Sequence, residues 1–319
     1  MKTNFKWDVA AIGEIICDFT CGENDDSFVF NAGGAPCNAL CMGARLGLKT
    51  AVISAVGNDV IGVRLKEKIS CYGVDTSAVE LLNTAATPLS FVHTGENGER
   101  TFSFFKNKSA DEFIGENGLP KEILKQCRIF HTGTFLLASA VSARSVIKAV
   151  DTAKNSGAVI SVDVNLRPAI WKNRAKMLQA ADKLCKKADI VKLSLEEARL
   201  ITKKENAPGA AGEFLKRYPE TGLLLITCGE NGSYAFYRGK ASYMPAFKVN
   251  SVDTTGAGDA FTGACLSFIC GCKSREEFEA GLSEMLKKAN AAAALTCTRA
   301  GAMPAMPDEK EIRDFVMGV

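Results

Sequence analysis

Apolar residues run along this chain in short blocks set between longer amphipathic stretches, a spacing that predicts alternating strands and helices. From about residue 120 the pattern is regular. Residues 129–131 read as a short strand, 143–155 as a helix and 158–163 as a β-branched strand. Residues 172–188 read as a helix, 190–193 as a short strand, 195–202 as a helix and 223–227 as a buried strand. Such alternation implies parallel strands with helices on both faces. In open sheets of this kind ligands bind beyond the carboxyl ends of the strands, where several polar motifs of this chain fall. The first third is less regular. Residues 9–16 and 51–56 carry strand patterns, and 36–46 and 59–72 carry helical ones. Residues 89–92 and 100–105 flank the polar run His93-Thr94-Gly95-Glu96-Asn97-Gly98-Glu99, which predicts a β-hairpin. With no internal repeat and no long linker, one α/β domain over 1–319 with a small β flap is the economical reading.

The most informative string is Val252-Asp253-Thr254-Thr255-Gly256-Ala257-Gly258-Asp259-Ala260-Phe261-Thr262-Gly263. Gly256 and Gly258 carry no side chain to block a ligand's approach to the backbone. The apolar run 260–270 reads as a helix, so the N–H groups of Gly256, Ala257 and Gly258 lie at its N-terminus, an anion site. Asp259 beside bound phosphate is electrostatically awkward unless it does chemistry. Taking a proton from a hydroxyl that attacks the phosphate is the natural task, the logic of a small-molecule kinase. The plainer reading is a tight turn with Asp259 as a cap. No Gly-x-x-x-x-Gly-Lys-Ser/Thr loop occurs, and the turn lacks the third glycine of a dinucleotide fold. Nearer the N-terminus, Asp18 follows the first strand, and Gly33-Gly34-Ala35-Pro36-Cys37-Asn38 enters a helix with Pro36 near its first turn. A carboxylate, glycine N–H groups and an Asn amide suit a polyhydroxylated ligand.

Composition narrows the partners. In 319 residues, Lys and Arg total 39 against 36 for Asp and Glu, and the net charge of +3 gives no footprint for nucleic acid. No apolar stretch approaches the roughly 18 residues of a membrane span. The N-terminus, with Asp8, Glu14 and Asp18, does not read as a signal peptide. Twelve cysteines lack metal-site spacing, and several, such as Cys17 and Cys265, lie in apolar runs. Together these predict reduced thiols in a cytoplasm. With two histidines, His93 and His131, chemistry needing clustered histidines is not expected.

The string from Asp253 to Asp259 resembles the signature of the ribokinase-type, or PfkB, carbohydrate kinases. Gly33 through Asn38 resembles that family's N-terminal signature, and Asp18 matches its first-strand Asp. Ser161-Val162-Asp163-Val164-Asn165-Leu166-Arg167 resembles a strand end of fructokinases and 2-keto-3-deoxygluconate kinases. Lys192 through Glu197 is similar to the family's Asn-x-x-Glu segment, with Ser194 in place of Asn. Thr227-Cys228-Gly229-Glu230-Asn231-Gly232 resembles a nucleotide-binding Thr-x-Gly-x-x-Gly, and Asn290 through Gly301 resembles the helix and loop beside the adenine.

The resemblance implies a three-layer α/β fold with a mostly parallel central sheet and a small β lid inserted near 14–32 and 88–106. It implies ATP as donor and Asp259 as base, with the amides of Gly256 to Gly258 holding the transferring phosphoryl group. The sugar would lie among Asp18, Gly33, Gly34, Asn38, Phe104, Lys106, Asn165 and Arg167. Lys192, Ser194, Glu197, Thr227, Gly229, Gly232 and Asn290 would serve the nucleotide, and Glu197 would reach Mg2+ through water. Asp253 with carbonyls of Thr255, Thr296, Arg299 and Gly301 would hold a monovalent cation, K+. A homodimer through the lid is a further expectation. Gly34-Ala35-Pro36-x-Asn38 and the Gly98 to Phe104 pattern are most similar to fructokinases, and Phe104-Phe105-Lys106 stands where deoxygluconate kinases carry Tyr-Tyr-Arg. Fructose therefore ranks first, 2-keto-3-deoxygluconate second and a ribosyl or nucleoside substrate third. A non-catalytic sugar sensor is the reading outside enzymes.

Overall fold

The computed structural model of the chain describes residues 5–21, 27–94 and 100–318. Its strands, in chain order, are β1 (Trp7–Ile12), β2 (Ile16–Cys21), β3 (Phe28–Gly33), β4 (Thr50–Gly57), β5 (Val74–Leu82), β6 (Leu89–Thr94) and β7 (Arg100–Phe105). There follow β8 (Cys127–Gly133), β9 (Val159–Asp163), β10 (Ile190–Ser194), β11 (Leu223–Thr227), β12 (Ser233–Tyr237) and β13 (Lys240–Met244). Nine form one sheet in the order β13-β12-β11-β10-β9-β8-β1-β4-β5. From β11 to β5 every pairing is parallel, and β12 and β13 extend that edge antiparallel.

Helices cover both faces because the central strands bury side chains on both. Along β1, Ala10 and Ile12 join one core while Val9 and Ala11 join the other, the period-2 alternation of a strand. One core takes helices such as Ala140–Asn155 and Arg174–Cys185; the other takes Ala35–Arg45, Ala257–Gly271 and Leu282–Cys297. The chain steps from β1 outward through β4 to β5, then returns to β8 on the other edge of β1. The strand order thus reverses between β1 and β8, which opens a crevice at their carboxyl ends. A second sheet, in the order β3-β2-β6-β7, stands off the first.

The strand expected at 9–16 is two. β1 ends at Ile12 and β2 starts at Ile16, so Asp18 lies on the small sheet, not at the end of the first core strand. Gly13 makes the break: a Cβ there would sit 2.4 Å from the Pro36 ring, and its carbonyl accepts from Ser54 Oγ at 2.7 Å. The helix expected from 260 starts at Ala257, which puts Asp259 inside its first turn. The flap strands β6 and β7 pair antiparallel as a hairpin, and its turn at 95–99 lies outside the described residues. β3, β5, β12 and β13 were not legible in the apolar pattern, because their partly exposed positions interrupt it.

Candidate active site

A cleft of about 260 Å³ opens at the crevice, between the small sheet and the start of helix Ala257–Gly271. The glycine turn forms its floor. Gly256 adopts φ +80, and a Cβ on it would lie 2.7 Å from Ala302 Cβ, so only glycine fits without strain. A Cβ on Gly258 would reach within 3.1 Å of Lys192 Nζ. The Ala257 amide makes a long bond to Thr254 O at 3.3 Å; first-turn amides have no intrahelical acceptor, which suits them to an anion.

Asp259 stands over this turn. Asn38 Nδ2 donates to its Oδ2 at 2.7 Å, joining residues 221 apart in sequence. Burial pushes the Asp259 carboxyl up to about 6, and the neighbouring Asp163 charge adds to the rise. The Asn38 bond, Lys192 and Arg167 oppose it. A carboxylate so placed is ionised at neutral pH yet basic enough to take a proton.

Lys192 and Asp163 complete the floor. Lys192 Nζ donates to both Asp163 oxygens at 3.2 and 3.1 Å, and Thr262 Oγ1 donates to Asp163 Oδ2 at 3.2 Å. Burial works against the Lys192 charge, but Asp163, Glu197 and Asp259 outweigh it and raise its pKa. Asp163 was not singled out in the sequence, although a carboxylate closing a β-branched run is a visible signal. Glu14 and Phe135 also line the cleft and went unread.

The residues assigned to the sugar gather on the opposite wall. A Cβ on Gly33 would fall 2.0 Å from Asp18 Oδ2, so the bare backbone there makes room for that carboxylate. Gly34 has φ +120 and packs against Glu14 O. Asp18, Gly34, Asn38, Phe104, Asn165 and Arg167 all border the cleft. Phe104 meets Phe135 edge-on with ring centroids 5.7 Å apart. Asn165 sits at φ +39, a conformation that turns the chain sharply after β9. Lys106 is placed differently: its Nζ donates to Asp111 at 2.6 Å, lies 4.3 Å over the Phe135 ring and does not border the cleft. Asp111 is fully buried and also accepts from Ser109 Oγ.

The residues assigned to the nucleotide are spread beyond the cleft, and of them Lys192 alone borders it. Ser194 caps helix Leu195–Thr202 in a capping box with Glu197. Glu197 Oε1 accepts from Leu166 N–H at 2.5 Å and Oε2 from Ser194 N–H at 2.9 Å. Burial raises the Glu197 pKa, a rise that Lys192 opposes. Thr227 Oγ1 donates to Leu193 O at 3.4 Å, after which Gly229 and Gly232 turn at φ +56 and +88. A Cβ on Gly232 would meet Met244 O at 2.1 Å. Asn290 is buried, its Nδ2 donating to Met244 O and Pro245 O and its Oδ1 accepting from Ser233 Oγ. Its amide ties β12 and the end of β13 to helix Leu282–Cys297.

The cation residues meet at the back of the glycine turn. Asp253 accepts from Thr255 N–H at 2.6 Å and from Gly301 N–H at 2.8 Å, while the amides of Val252 and Asp253 donate to Cys297 O. These bonds lash segment 252–255 to segment 297–301, and a carboxylate among carbonyls is an oxygen donor set that fits a hard cation. Thr296 Oγ1 donates to Ala292 O and keeps lone pairs beside its carbonyl, whereas Arg299 pairs with Glu311 and could offer a cation only its carbonyl. Glu197, with both oxygens on amides, retains lone pairs for water, which fits an indirect role at a metal. Among the described residues no group of three or more His, Cys, Asp or Glu side chains is arranged to hold a metal.

A parallel sheet, a glycine turn opening a helix and a half-buried carboxylate above it suit a phosphotransferase acting on an alcohol. The chain belongs to the pfkB family of carbohydrate kinases, whose family model matches residues 6–309. It is 35% identical over 314 residues to fructokinase-1 of Zea mays, covering 97% of each chain. It is 36% identical over 310 residues to fructokinase-1 of Oryza sativa subsp. japonica, covering 95% of this chain and 96% of that one. Among solved structures it matches the fructokinase of Xylella fastidiosa with bound ATP at TM-score 0.88 and 28% identity, over 98% of both chains. The fructokinase of Vibrio cholerae O395 in its fructose, ADP and calcium ion bound form matches at 0.88 and 27%, over 97% of this chain and 98% of that one. The fold is that of the ribokinase-type sugar kinases, as expected from the sequence.

Proposed function

We propose that this sugar kinase transfers the γ-phosphate of ATP to a primary hydroxyl of a monosaccharide, fructose, giving fructose 6-phosphate. The observation that carries the reading is Asp259, half-buried above the glycine turn in a cleft whose other wall presents Asp18 and Asn38. The sugar's hydroxyls bond to Asp18, Asn38 and the glycine backbone, and its primary hydroxyl at C6 faces the γ-phosphate. Asp259 takes the hydroxyl proton late in the transfer, and the amides at Gly256 to Gly258 hold the growing negative charge, the larger part of the catalysis. Lys192 adds positive charge to the same floor. The small sheet serves as a lid that excludes water, within a single unit over 1–319.

Magnesium, when bound, neutralises phosphate charge; Glu197 would hold it through water. Potassium would sit at Asp253 with carbonyls of Thr255, Thr296, Arg299 and Gly301, keeping the turn shaped for an anion. Thr227, Gly229, Gly232 and helix Leu282–Cys297 border the nucleotide in this reading.

Fructose is favoured by the named relatives and by Lys106, which is held by Asp111 and not free to pair with a substrate carboxylate. Arg167 in the cleft favours the second reading, 2-keto-3-deoxygluconate, because a buried carboxylate needs a cationic partner. A coupled assay of ADP release, run with and without Mg2+ and K+, compares fructose, ribose, 2-keto-3-deoxygluconate and nucleosides. Fructose is expected to give the highest kcat/KM and both cations to be needed. A higher value for the keto-acid overturns the fructose assignment, and ADP release from no sugar supports the sensor.

Two further proposals concern setting. The lid carries a row of rings, Phe28, Phe91 and Phe105, with Phe28 and Phe105 more than half exposed, which supports lid-to-lid pairing of two copies. A monomer in sedimentation equilibrium would remove that proposal. All twelve cysteines are free thiols, and among the described residues no helix is long and apolar enough to cross a membrane. The free thiols accord with the proposed reducing compartment; fractionation of the host cell checks it.

A further inference from the structure

One group of the cleft has no part in the chemistry above. Glu14 follows the Gly13 break, and its side chain is buried. Oε1 accepts from the N–H of Ala35, the first residue of helix Ala35–Arg45, at 3.1 Å. Oε2 is buried and has no hydrogen-bond partner. Asn38 lies one turn along the same helix. Its Nδ2 holds Asp259, while its Oδ1 is also buried without a partner.

Two orphaned oxygens therefore belong to one wall of one cleft and to the first turn of one helix. Residues three apart share a helix face, and helical side chains lean toward the N-terminus. Asn38 therefore stands on the same first turn whose leading N–H grips Glu14. Two acceptors cannot bond to each other, and the Asn38 amide cannot flip without taking its N–H from Asp259. A proton on Glu14 Oε2 would turn one acceptor into a donor able to serve the other.

We propose that Glu14 stands as the neutral acid, donates its Oε2–H to Asn38 Oδ1, and so positions the amide that holds Asp259. Glu14 is then a positioning residue, two steps from the reacting hydroxyl. The surroundings favour the proton. Burial pushes the Glu14 carboxyl up to about 7 against the pull of its own and the Ala35 amides. Asp111, in the segment after β7, adds to the rise, and Arg167, in the loop after β9, opposes it. Cys37, on the same helix, faces Glu14 as a thiol kept neutral by burial.

The inference rests on Asp259 as the base, and its test has one arm independent of activity. In protein carrying 13C-labelled glutamate side chains, one carboxyl signal is expected to titrate near pH 7 and to be missing in Glu14→Gln. If the signal lost in Glu14→Gln titrates in the ordinary carboxylate range, the proposal is overturned, whatever the substrate proves to be. The kinetic arm compares two isosteric variants. The Gln side chain can both accept from Ala35 and donate to Asn38, so Glu14→Gln should keep kcat/KM within about threefold and retain the acid limb of its pH profile. Glu14→Met frees the Asn38 amide, Asp259 loses its N–H donor, and the limb moves to higher pH. A limb moved up by one unit is about a tenfold loss at pH 5. A Glu14→Gln variant that loses more than tenfold, or a folded Glu14→Met variant with an unmoved limb, also overturns the proposal. Should Glu14→Met not fold, the Gln variant and the titration decide. Absence of kinase activity in the parent enzyme would strike the proposed function and leave the titration result standing.

Discussion

Replacing Asp259 with Asn is expected to lower turnover by roughly 10²–10⁴ with little change in sugar affinity. The substitution keeps the shape of the side chain but removes the carboxylate proposed to take the hydroxyl proton. Its contact with Asn38 is also altered, since an amide oxygen accepts from Asn38 Nδ2 less strongly than a carboxylate does. The parent enzyme carries a matching pH signature. With the Asp259 carboxyl raised to about 6, the ionised base prevails above that pH, and kcat/KM should fall as pH drops through it. Steady-state kinetics of both proteins from pH 5 to 8 check the two statements together. Near-normal turnover in Asp259→Asn would remove Asp259 from the chemistry and leave the cleft as a binding site.

The second large effect lies in the flap. From sequence alone, Lys106→Met is a mild change in a sugar kinase and a severe one in a sugar-acid kinase. The buried pair with Asp111 alters that expectation. Removing Lys106 strands a carboxylate that is 0% exposed, and breaking a buried ion pair from one side costs about 3–5 kcal/mol. Lys106→Met should therefore unfold at markedly lower urea concentration. The double variant Lys106→Met with Asp111→Asn should recover much of the loss, because no buried charge remains. Fructose kinetics of the folded protein should change modestly in both. Unchanged stability combined with lost activity on a keto-acid would put Lys106 on the substrate instead of on Asp111.

What could be read in the sequence was what lies close together along it. The glycine turn and Asp259 occupy four consecutive positions, and the buried parallel strands are compact apolar runs such as Leu223–Thr227. The last two strands, Ser233–Tyr237 and the edge strand Lys240–Met244, mix small and polar residues with aromatic ones, so no apolar run marked them. The break at Gly13 depended on the ring of Pro36, brought in by the following helix. Distant pairings were harder still. The Asn38–Asp259 bond spans 221 positions, and the Lys192–Asp163 pair spans 29, so neither residue's partner could be named in advance. Asn290 was legible only by resemblance, and its bonds to Met244 and Pro245 depend on β13, which the sequence did not reveal. Lys106 is the same case, with Asp111 five residues away taking the charge meant for a ligand.

The central claim is phosphoryl transfer to the C6 hydroxyl of fructose with Asp259 as base. It is tested most directly by 31P NMR of the purified chain with ATP, Mg2+, K+ and fructose. The account predicts one new phosphate ester, that of fructose 6-phosphate, growing in step with ADP and nearly absent with Asp259→Asn. An ester at another hydroxyl, or ADP and free phosphate with no ester, would contradict it.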